Sequence, residues 1–188
     1  MKTIKFAILA LVVTGSLFSC KRGENDPGLT LKSRTARLTG EWTLSNVTGT
    51  TTSSYTSDNY TSTSTTTYSY ANGAQTASTT STVTMGGDSS TDTNSNTTSL
   101  TRTMTINKDG SYTSVETEDG DTSENTGEWM WLDQGKSKSS IIIDGNIYEI
   151  DQLKNKEMIL KVSSSNKDTA DGTIDESTSE RFYTYTKN

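Results

Sequence analysis

The middle of the chain limits the possible folds most, because residues 48–99 are more than half threonine and serine. Such low complexity is typical of a disordered or glycosylated stalk. Threonine and tyrosine also favour strands, and tyrosines are scattered through the segment. The segment lacks the proline and the charge that are typical of disorder, so we predict strands with floppy connections. The predicted strands are residues 60–70 and 80–85, with a turn at Asn72-Gly73 between them, and residues 86–96 are predicted to be a mobile loop.

The rest of residues 38–188 consists of short segments in which apolar and polar residues alternate, and turn residues separate these segments. Trp42 and Leu44 share one face of a first predicted strand at residues 38–47, because side chains alternate across a strand. Residues 163–177 are predicted to be a polar loop. No segment from Cys20 onward has a convincing helical period. We therefore predict an all-β fold, which is an antiparallel β-barrel or, as the alternative, a β-sandwich.

The N-terminus has the pattern of a secretory signal. A positive head with Lys2 and Lys5 precedes an apolar run at residues 6–18, which is too short to span the ~30 Å hydrocarbon core of a bilayer. The ending Leu17-Phe18-Ser19-Cys20 resembles the lipobox of bacterial lipoproteins. That resemblance implies cleavage before Cys20, diacylglycerol on its sulfur and a further acyl chain, such as palmitate, on its new amine. Two or three acyl chains make attachment to a membrane effectively permanent.

These features divide the chain into three parts. Residues 1–19 are the predicted signal peptide, residues 20–37 a lipidated flexible tether, and residues 38–188 the β domain. Acidic residues in the tether, Glu24 and Asp26, resemble a surface-export signal of some Gram-negative lipoproteins. We expect a protein of the cell envelope that is anchored in the outer membrane. The sequence leaves open whether the protein faces the periplasm or the cell exterior.

The composition excludes several chemistries. The chain has no histidine, which excludes a Ser-His-Asp triad and a histidine-based metal site. Cys20 is the single cysteine, so no disulfide forms within the chain, and lipidation removes the one candidate for thiol catalysis. A net charge of −6 argues against a nucleic-acid partner. The acidic segments at 118–124 and 168–175 lack EF-hand spacing and are interpreted as solvated turns, so no metal or other cofactor is predicted.

The order of several short motifs between residues 38 and 188 resembles the lipocalin-like domain of bacterial lipoproteins. The motifs are Leu38-Thr39-Gly40-Glu41-Trp42 and residues 105–112, 127–131, 148–153 and 158–162. The resemblance implies a lipocalin-like antiparallel barrel, and it implies a fold more than an activity, because most of that family has no known function. In lipocalins a Gly-x-Trp closes the barrel floor and an arginine from the last strand packs on the tryptophan. Gly40 and Trp42 match the first feature, and Arg181 is the expected match for the second.

The tryptophans and their neighbours carry the sharpest functional hypothesis. They would line a barrel pocket for an apolar or glycan ligand. The alternative is that they are simply the core, which a chain with few large apolar residues needs. The candidate residues are Trp42, Met104, Trp129, Trp131, Tyr148 and Ile150.

Separately, Asp168-Thr169-Ala170 resembles a bacterial O-glycosylation sequon, which implies a glycan on Thr169.

We therefore predict a lipid-anchored, non-catalytic binding module of the cell envelope, with a ligand of unknown identity and no nucleic-acid partner. The first alternative is a structural or surface-coat lipoprotein without a small ligand, in which the threonine- and serine-rich segment serves as a polar spacer. The second alternative is a carbohydrate-active enzyme that depends on a pair of carboxylates. The sequence leaves the oligomeric state open.

Overall fold

The computed structural model describes residues 32–133 and 138–188. These residues contain one short helix and ten strands, and the strands form a single antiparallel sheet that closes in a ring. The predicted signal peptide, Cys20 and most of the predicted tether lie outside the described residues. The elements are α1 (Arg34–Leu38), β1 (Gly40–Ser57), β2 (Tyr60–Ala71), β3 (Ala74–Met85), β4 (Asp88–Ile106), β5 (Ser111–Glu118), β6 (Asp121–Trp131), β7 (Ser140–Ile143), β8 (Asn146–Leu153), β9 (Glu157–Ala170) and β10 (Thr173–Lys187).

Strand β1 changes partner along its length, and this divides the sheet into two levels. Its first residues, 40–43, pair with residues 103–106 of β4. Further along, residues 49–57 pair with β2 instead. At the first level, here called the narrow end, the ring consists of β1 and β4 to β10. At the second level, here called the wide end, the β2–β3 hairpin is inserted between β1 and β4.

A bulge and a tight turn produce the change of partner. The register of β1 against β10 shifts between Leu44 and Asn46, just before β2 becomes its neighbour. Asn72 and Gly73 have φ values of 53° and 76°, and two positive φ values are what a type I′ hairpin turn requires. The N–H of Leu100 donates a hydrogen bond of 2.8 Å to the carbonyl of Gly73. This bond ties the turn of the inserted hairpin to β4 at the boundary between the two levels.

The hydrophobic core fills the narrow end, because every second residue of these strands points into the ring. Helix α1 packs against this end of the ring. Ser33 caps the helix by accepting a hydrogen bond of 3.1 Å from the N–H of Ala36, and the indole N–H of Trp42 donates to the carbonyl of Leu38 at 2.7 Å. The buried apolar residues are Leu38, Trp42, Leu44, Val47, Leu100, Met104, Ile106, Tyr112, Trp129, Trp131, Ile141, Ile143, Ile150, Leu153, Met158, Leu160 and Tyr185.

Hydroxyl side chains dominate the wide end. Directly opposed pairs share hydrogen bonds across the strands, and two examples on β3 and β4 are Thr76 with Thr97 (2.9 Å) and Thr82 with Thr91 (3.0 Å). Such cross-strand pairs each stabilise a sheet by roughly 0.2–1 kcal/mol. Among the described residues, the exposed segments 88–97 of β4 and 163–170 of β9 pair with a neighbour on one side only. The wide end is therefore a polar extension of the ring with two open strand edges.

The all-β prediction is confirmed, and the structure has one closed sheet instead of the two packed sheets of the sandwich alternative. The strands predicted within residues 48–99 are confirmed, as is the turn at Asn72-Gly73. These segments are strands because threonine suits a pleated surface and each strand finds hydrogen-bonding partners on its neighbours.

Three local predictions are wrong. The predicted loop at 86–96 belongs mainly to β4, and the predicted loop at 163–177 is a hairpin of β9 and β10 around Asp171-Gly172. Pairing with a neighbouring strand outweighs the low apolar content of both segments. The predicted tether is wrong where it reaches α1, which buries Arg34 and Arg37. A helix of five residues is too short to show a helical period in the sequence.

Candidate functional site

A cavity of about 260 Å³ lies against the inner face of the ring, next to the hydrophobic core. Three core side chains, Met104, Ile143 and Leu160, form its apolar part. The rest of the lining is polar or aromatic. It consists of Arg102, Tyr112, Ser114, Glu116, Asn125, Asp144, Asn146, Tyr148 and Tyr185.

Arg102 on β4 is the central charge of the cavity. Its guanidinium forms an ion pair with Glu116 on the neighbouring strand β5, and the two side chains are 27% and 26% exposed. Nη1 of Arg102 donates to the hydroxyl of Tyr185 at 3.3 Å, and the guanidinium carbon lies 5.5 Å from the centre of the Tyr183 ring. Burial alone would lower the pKa of Arg102, but Tyr185 and Glu116 together raise it. The guanidinium is therefore charged and held in one orientation.

The tyrosines around Arg102 are kept in their neutral form. Burial raises the pKa values of Tyr185 and Tyr148, although Arg102 acts in the opposite sense on both. Burial also raises the pKa of Tyr112, and the nearby carboxylate of Asp144 adds to the effect. At neutral pH each phenol therefore keeps its proton and serves as a hydrogen-bond donor as well as an acceptor.

Gly127 on β6 makes room for one wall of the cavity. A Cβ atom added at this position would lie 2.8 Å from Cε1 of Tyr112 and 3.4 Å from Oδ1 of Asp144. The ring of Tyr112 thus lies directly over the glycine, where a side chain would displace it. The glycine keeps Tyr112 and Asp144 together at the edge of the cavity.

Of the six predicted ligand-lining residues, the structure places Met104 and Tyr148 at this cavity. The other four do not line it. Trp42 is fully buried at the narrow end and Ile150 is 4% exposed. Trp129 and Trp131 meet edge to face, with ring centres 5.8 Å apart. All four belong to the core, as in the alternative interpretation, and Trp129 and Trp131 also border a separate open pocket of about 400 Å³.

Trp129 and Trp131 are held at the narrow end by their indole N–H groups. Trp129 donates to the carbonyl of Asn107 at 2.7 Å, in the turn between β4 and β5. Trp131 donates to the hydroxyl of Thr35 in α1 at 3.2 Å. Both indoles therefore tie turns and the helix to the core, and they lie away from the Arg102 cavity.

The functional candidates that sequence reasoning missed are Arg102, Glu116, Tyr112 and Tyr185. The alternation of inward-facing and outward-facing residues along the strands contains a signal for them. Arg102 is in phase with the core residues Met104 and Ile106, and Glu116 is in phase with Tyr112. A charged residue in the apolar phase of a strand points into the fold, where it needs a partner. Two such residues on adjacent strands predict an ion pair on the inner face of the sheet.

The cation that covers Trp42 is Lys187, and the expectation that Arg181 does so is wrong. Nζ of Lys187 lies 4.8 Å from the centre of the Trp42 ring. The guanidinium carbon of Arg181 lies 4.0 Å from the centre of the Tyr68 ring, at the level where β2 begins to pair with β1. Arg181 is six residues before Lys187 in the same strand, so it is too far along β10 to reach the narrow end.

Other sequence-predicted positions lie on hairpins. Asp119 and Gly120 form the turn between β5 and β6, where Oδ1 of Asp119 accepts from the N–H of Ser99 at 2.9 Å. Thr169 is exposed on the open edge of β9. Within residues 32–133 and 138–188, no group of three or more aspartate, glutamate, cysteine or histidine side chains is placed to hold a metal ion.

Comparisons with protein-family models, with curated proteins and with solved structures find no match to this chain. In the part of the chain that the structure describes, no helix has both the length and the apolar character needed to cross a membrane. The site is therefore interpreted from its own geometry.

Proposed function

We propose that this protein is a lipid-anchored, non-catalytic binding module of the cell envelope, built on a lipocalin-like β-barrel, and that its Arg102 cavity binds a glycan. The observation that carries the proposal is the Arg102–Glu116 ion pair, which is held among neutral tyrosines at a cavity inside the ring. A paired charge in such a position offers fixed hydrogen-bond donors and acceptors to a polar ligand.

The lining favours a glycan over an apolar ligand. Carboxylate, guanidinium, amide and phenol groups surround the cavity, and each would lose hydrogen bonds to water if an apolar ligand covered it. Tyrosine rings supply flat apolar surface next to hydroxyl groups, which suits the alternating faces of a sugar ring. The volume of 260 Å³ is slightly below the range of about 300–1,000 Å³ that is typical of small-molecule sites, so the site fits about one sugar unit.

The narrow end supports the proposed lipocalin-like barrel. Its eight strands, β1 and β4 to β10, match the number at which a closed sheet is just wide enough to hold one small ligand. Gly40 and Trp42 open the first strand, and the cation on Trp42 comes from the last strand, as in the resemblance described above. The lysine at that position, in place of an arginine, is this chain's departure from the pattern.

Isothermal titration of the purified full-length protein with oligosaccharides from bacterial envelope polysaccharides tests the binding function. We expect saturable binding that weakens about tenfold or more in Glu116→Gln, which keeps the shape of the side chain but removes its charge. Glu128→Gln, an exposed residue on β6, is the matched control and should bind like the wild type. Absence of saturable binding across the panel would contradict the proposal.

A carbohydrate-active enzyme is the second candidate, since two carboxylates, Glu116 and Asp144, line the same cavity. Each has a partner in the structure, Arg102 for Glu116 and Tyr112 for Asp144. We favour binding over catalysis because Arg102 already engages the carboxylate of Glu116 on one side. Hydrolysis of a bound oligosaccharide that is abolished by both Glu116→Gln and Asp144→Asn would establish the enzyme instead.

A structural or surface-coat role is the third candidate, and the wide end favours it. This extension carries rows of hydroxyl groups and two open strand edges beyond the level of the cavity. Such a surface suits a hydrated spacer. Deletion of the β2–β3 hairpin that leaves glycan affinity unchanged, yet causes the same cell-envelope defect as deletion of the whole protein, would assign the function to the extension.

A further inference from the structure

We infer that the ligand of this site carries an anionic group, and that Arg181 is the residue that binds it. This inference rests on the proposed glycan-binding function and adds a charge requirement to it. Its basis is an arginine on the inner face of the ring that is fixed in place and has no acidic partner among the described residues.

Arg181 on β10 is held in one orientation by Tyr68 on β2, two strands away in the sheet. Gly49 of β1 lies between Arg181 and Tyr68, and it has no side chain to separate them. The guanidinium stacks over the Tyr68 ring at 4.0 Å and donates from Nη2 to the Tyr68 hydroxyl at 2.6 Å. A Cβ at position 49 would lie 3.1 Å from Cγ of Arg181 and 2.3 Å from the carbonyl oxygen of Glu180. The glycine therefore allows the arginine to lie flat across β1.

The charge of Arg181 is not neutralised by its acidic neighbours. Glu180 points to the outer face, where its carboxylate pairs with Lys161 at 2.6 Å. Further acidic residues pair with other cations, Glu116 with Arg102, Glu157 with Lys154 and Glu176 with Lys167. Nε of Arg181 is buried and has no hydrogen-bond partner. A buried donor without an acceptor is unfavourable, and an anionic group bound to the terminal nitrogens of the same guanidinium would offset this cost.

Arg181 is connected to the cavity along one face of β10. Arg181, Tyr183 and Tyr185 alternate along the strand and so lie on the same inner face. Tyr183 stacks against Arg102, and Tyr185 accepts a hydrogen bond from it. A sugar in the Arg102 cavity that continues along β10 therefore reaches Arg181 within two alternating positions. Since Glu116 neutralises Arg102, Arg181 supplies the positive charge of this face.

The matching chemistry is a carboxylate or sulfate on the sugar next to the one in the cavity. Guanidinium groups bind such oxygens through paired hydrogen bonds, and the chain's net charge of −6 means that this attraction must come from the local group. The test uses two matched pairs of probes: a uronic-acid oligosaccharide with its methyl ester, and a sulfated oligosaccharide with its desulfated form. Both members of a pair share the same sugar backbone.

Titration of the full-length wild type with each pair measures the preference without any substitution. We expect the acidic member of at least one pair to bind about tenfold or more tightly. Arg181→Gln should abolish that preference while keeping the affinity for the neutral member. Lys161→Gln, the charge-matched control on the outer face of β9, should keep the preference. The pair that shows the preference identifies the anionic group.

Equal affinity for both members of both pairs would overturn the inference and leave the proposed glycan binding standing. A preference that persists unchanged in Arg181→Gln, with a native circular dichroism spectrum, would also overturn it. No binding by either member, or by neutral oligosaccharides, would overturn the proposed function itself. Arg181→Lys separates charge from orientation, since lysine keeps the charge but does not stack flat on Tyr68, and we expect it to retain part of the preference.

Discussion

Nζ of Lys187 lies 4.8 Å above the ring of Trp42 and donates hydrogen bonds to the carbonyls of Arg37 (2.9 Å) and Thr39 (2.5 Å). The last strand, the first strand and the end of α1 thus meet at one ammonium group. A Cβ at Gly40 would lie 2.4 Å from Cε of Lys187, so the glycine leaves the path that the lysine needs. This arrangement closes the narrow end of the ring.

Replacing Lys187 by glutamine should destabilise the protein by about 1–3 kcal/mol, because two carbonyls lose a charged donor and Trp42 loses its cation. Urea unfolding followed by tryptophan fluorescence measures the change. Lys156→Gln, at an exposed position in the turn between β8 and β9, serves as control and should change stability by less than about 0.5 kcal/mol. Equal stability of the two variants would show that Lys187 does not close the ring.

Alkaline pH should destabilise the fold through its buried tyrosines. Burial raises the pKa values of Tyr70, Tyr148 and Tyr185 above the ordinary value of 10.0. Below that value the phenols are neutral in both states. Above it the unfolded chain loses these protons first, so the free energy of unfolding falls as the pH rises through 10 and toward the folded pKa values. Lys187 has a pKa lowered by burial and opposes this trend in part.

Unfolding free energies measured between pH 8 and pH 11.5 test this dependence. Tyr185→Phe should make the decline shallower, because one buried phenol no longer titrates. Tyr55→Phe, at a position that is 40% exposed, is the matched control. A decline of the same steepness in Tyr185→Phe and in the wild type would contradict the role given to Tyr185.

The wide end should open before the narrow end. Segments 88–97 and 163–170 are exposed and paired on one side, whereas Trp42 and Met158 are fully buried in the core. Local opening free energies follow the number of buried contacts, so backbone amides of β4 before residue 98 should exchange with deuterium at least about a hundredfold faster than those of the core. Native-state hydrogen exchange gives both rates in one experiment, and uniform protection along β4 would contradict the two-level description.

Cys20→Ala should leave an unacylated precursor that keeps its predicted signal peptide, because the lipobox resemblance implies that this cysteine is the site of lipidation and cleavage. Mass spectrometry of the membrane and soluble fractions measures both properties. Ser19→Ala, which keeps a small residue before the cysteine, is the control and should be processed normally. Correct processing of Cys20→Ala would overturn the assignment of the anchor.

The all-β architecture was predictable because the alternation of apolar and polar residues, like the turn-forming dipeptides, is a local feature of the sequence. Asn72-Gly73 and Asp144-Gly145 have the two positive φ values that such dipeptides favour, and each joins two strands. The strands at 88–96 and 163–170 were not predictable from composition, because their stability comes from neighbours that are distant in sequence. The two-level ring depends on β1 changing partner near Asn46, and no local pattern encodes which strand replaces β4.

The site was predictable only in part. Large aromatic residues in phase with a core indicate burial, and sequence alone does not distinguish a packed indole from one that lines a cavity. Trp129 and Trp131 pack because turns and α1 accept their N–H groups, a long-range consequence of closure. Arg102 carries a local signal, since it is in phase with Met104, but its pairing with Glu116 needs the register of β4 against β5.

The most direct test of the account is the location of a bound oligosaccharide by nuclear magnetic resonance of the isotope-labelled full-length protein. We predict that titration shifts the amide and side-chain signals of residues around the cavity, above all Arg102, Glu116, Tyr148 and Tyr185, while signals on the outer face of β3 and β4 stay unchanged. Shifts confined to the threonine rows of that outer face would contradict a binding site inside the ring.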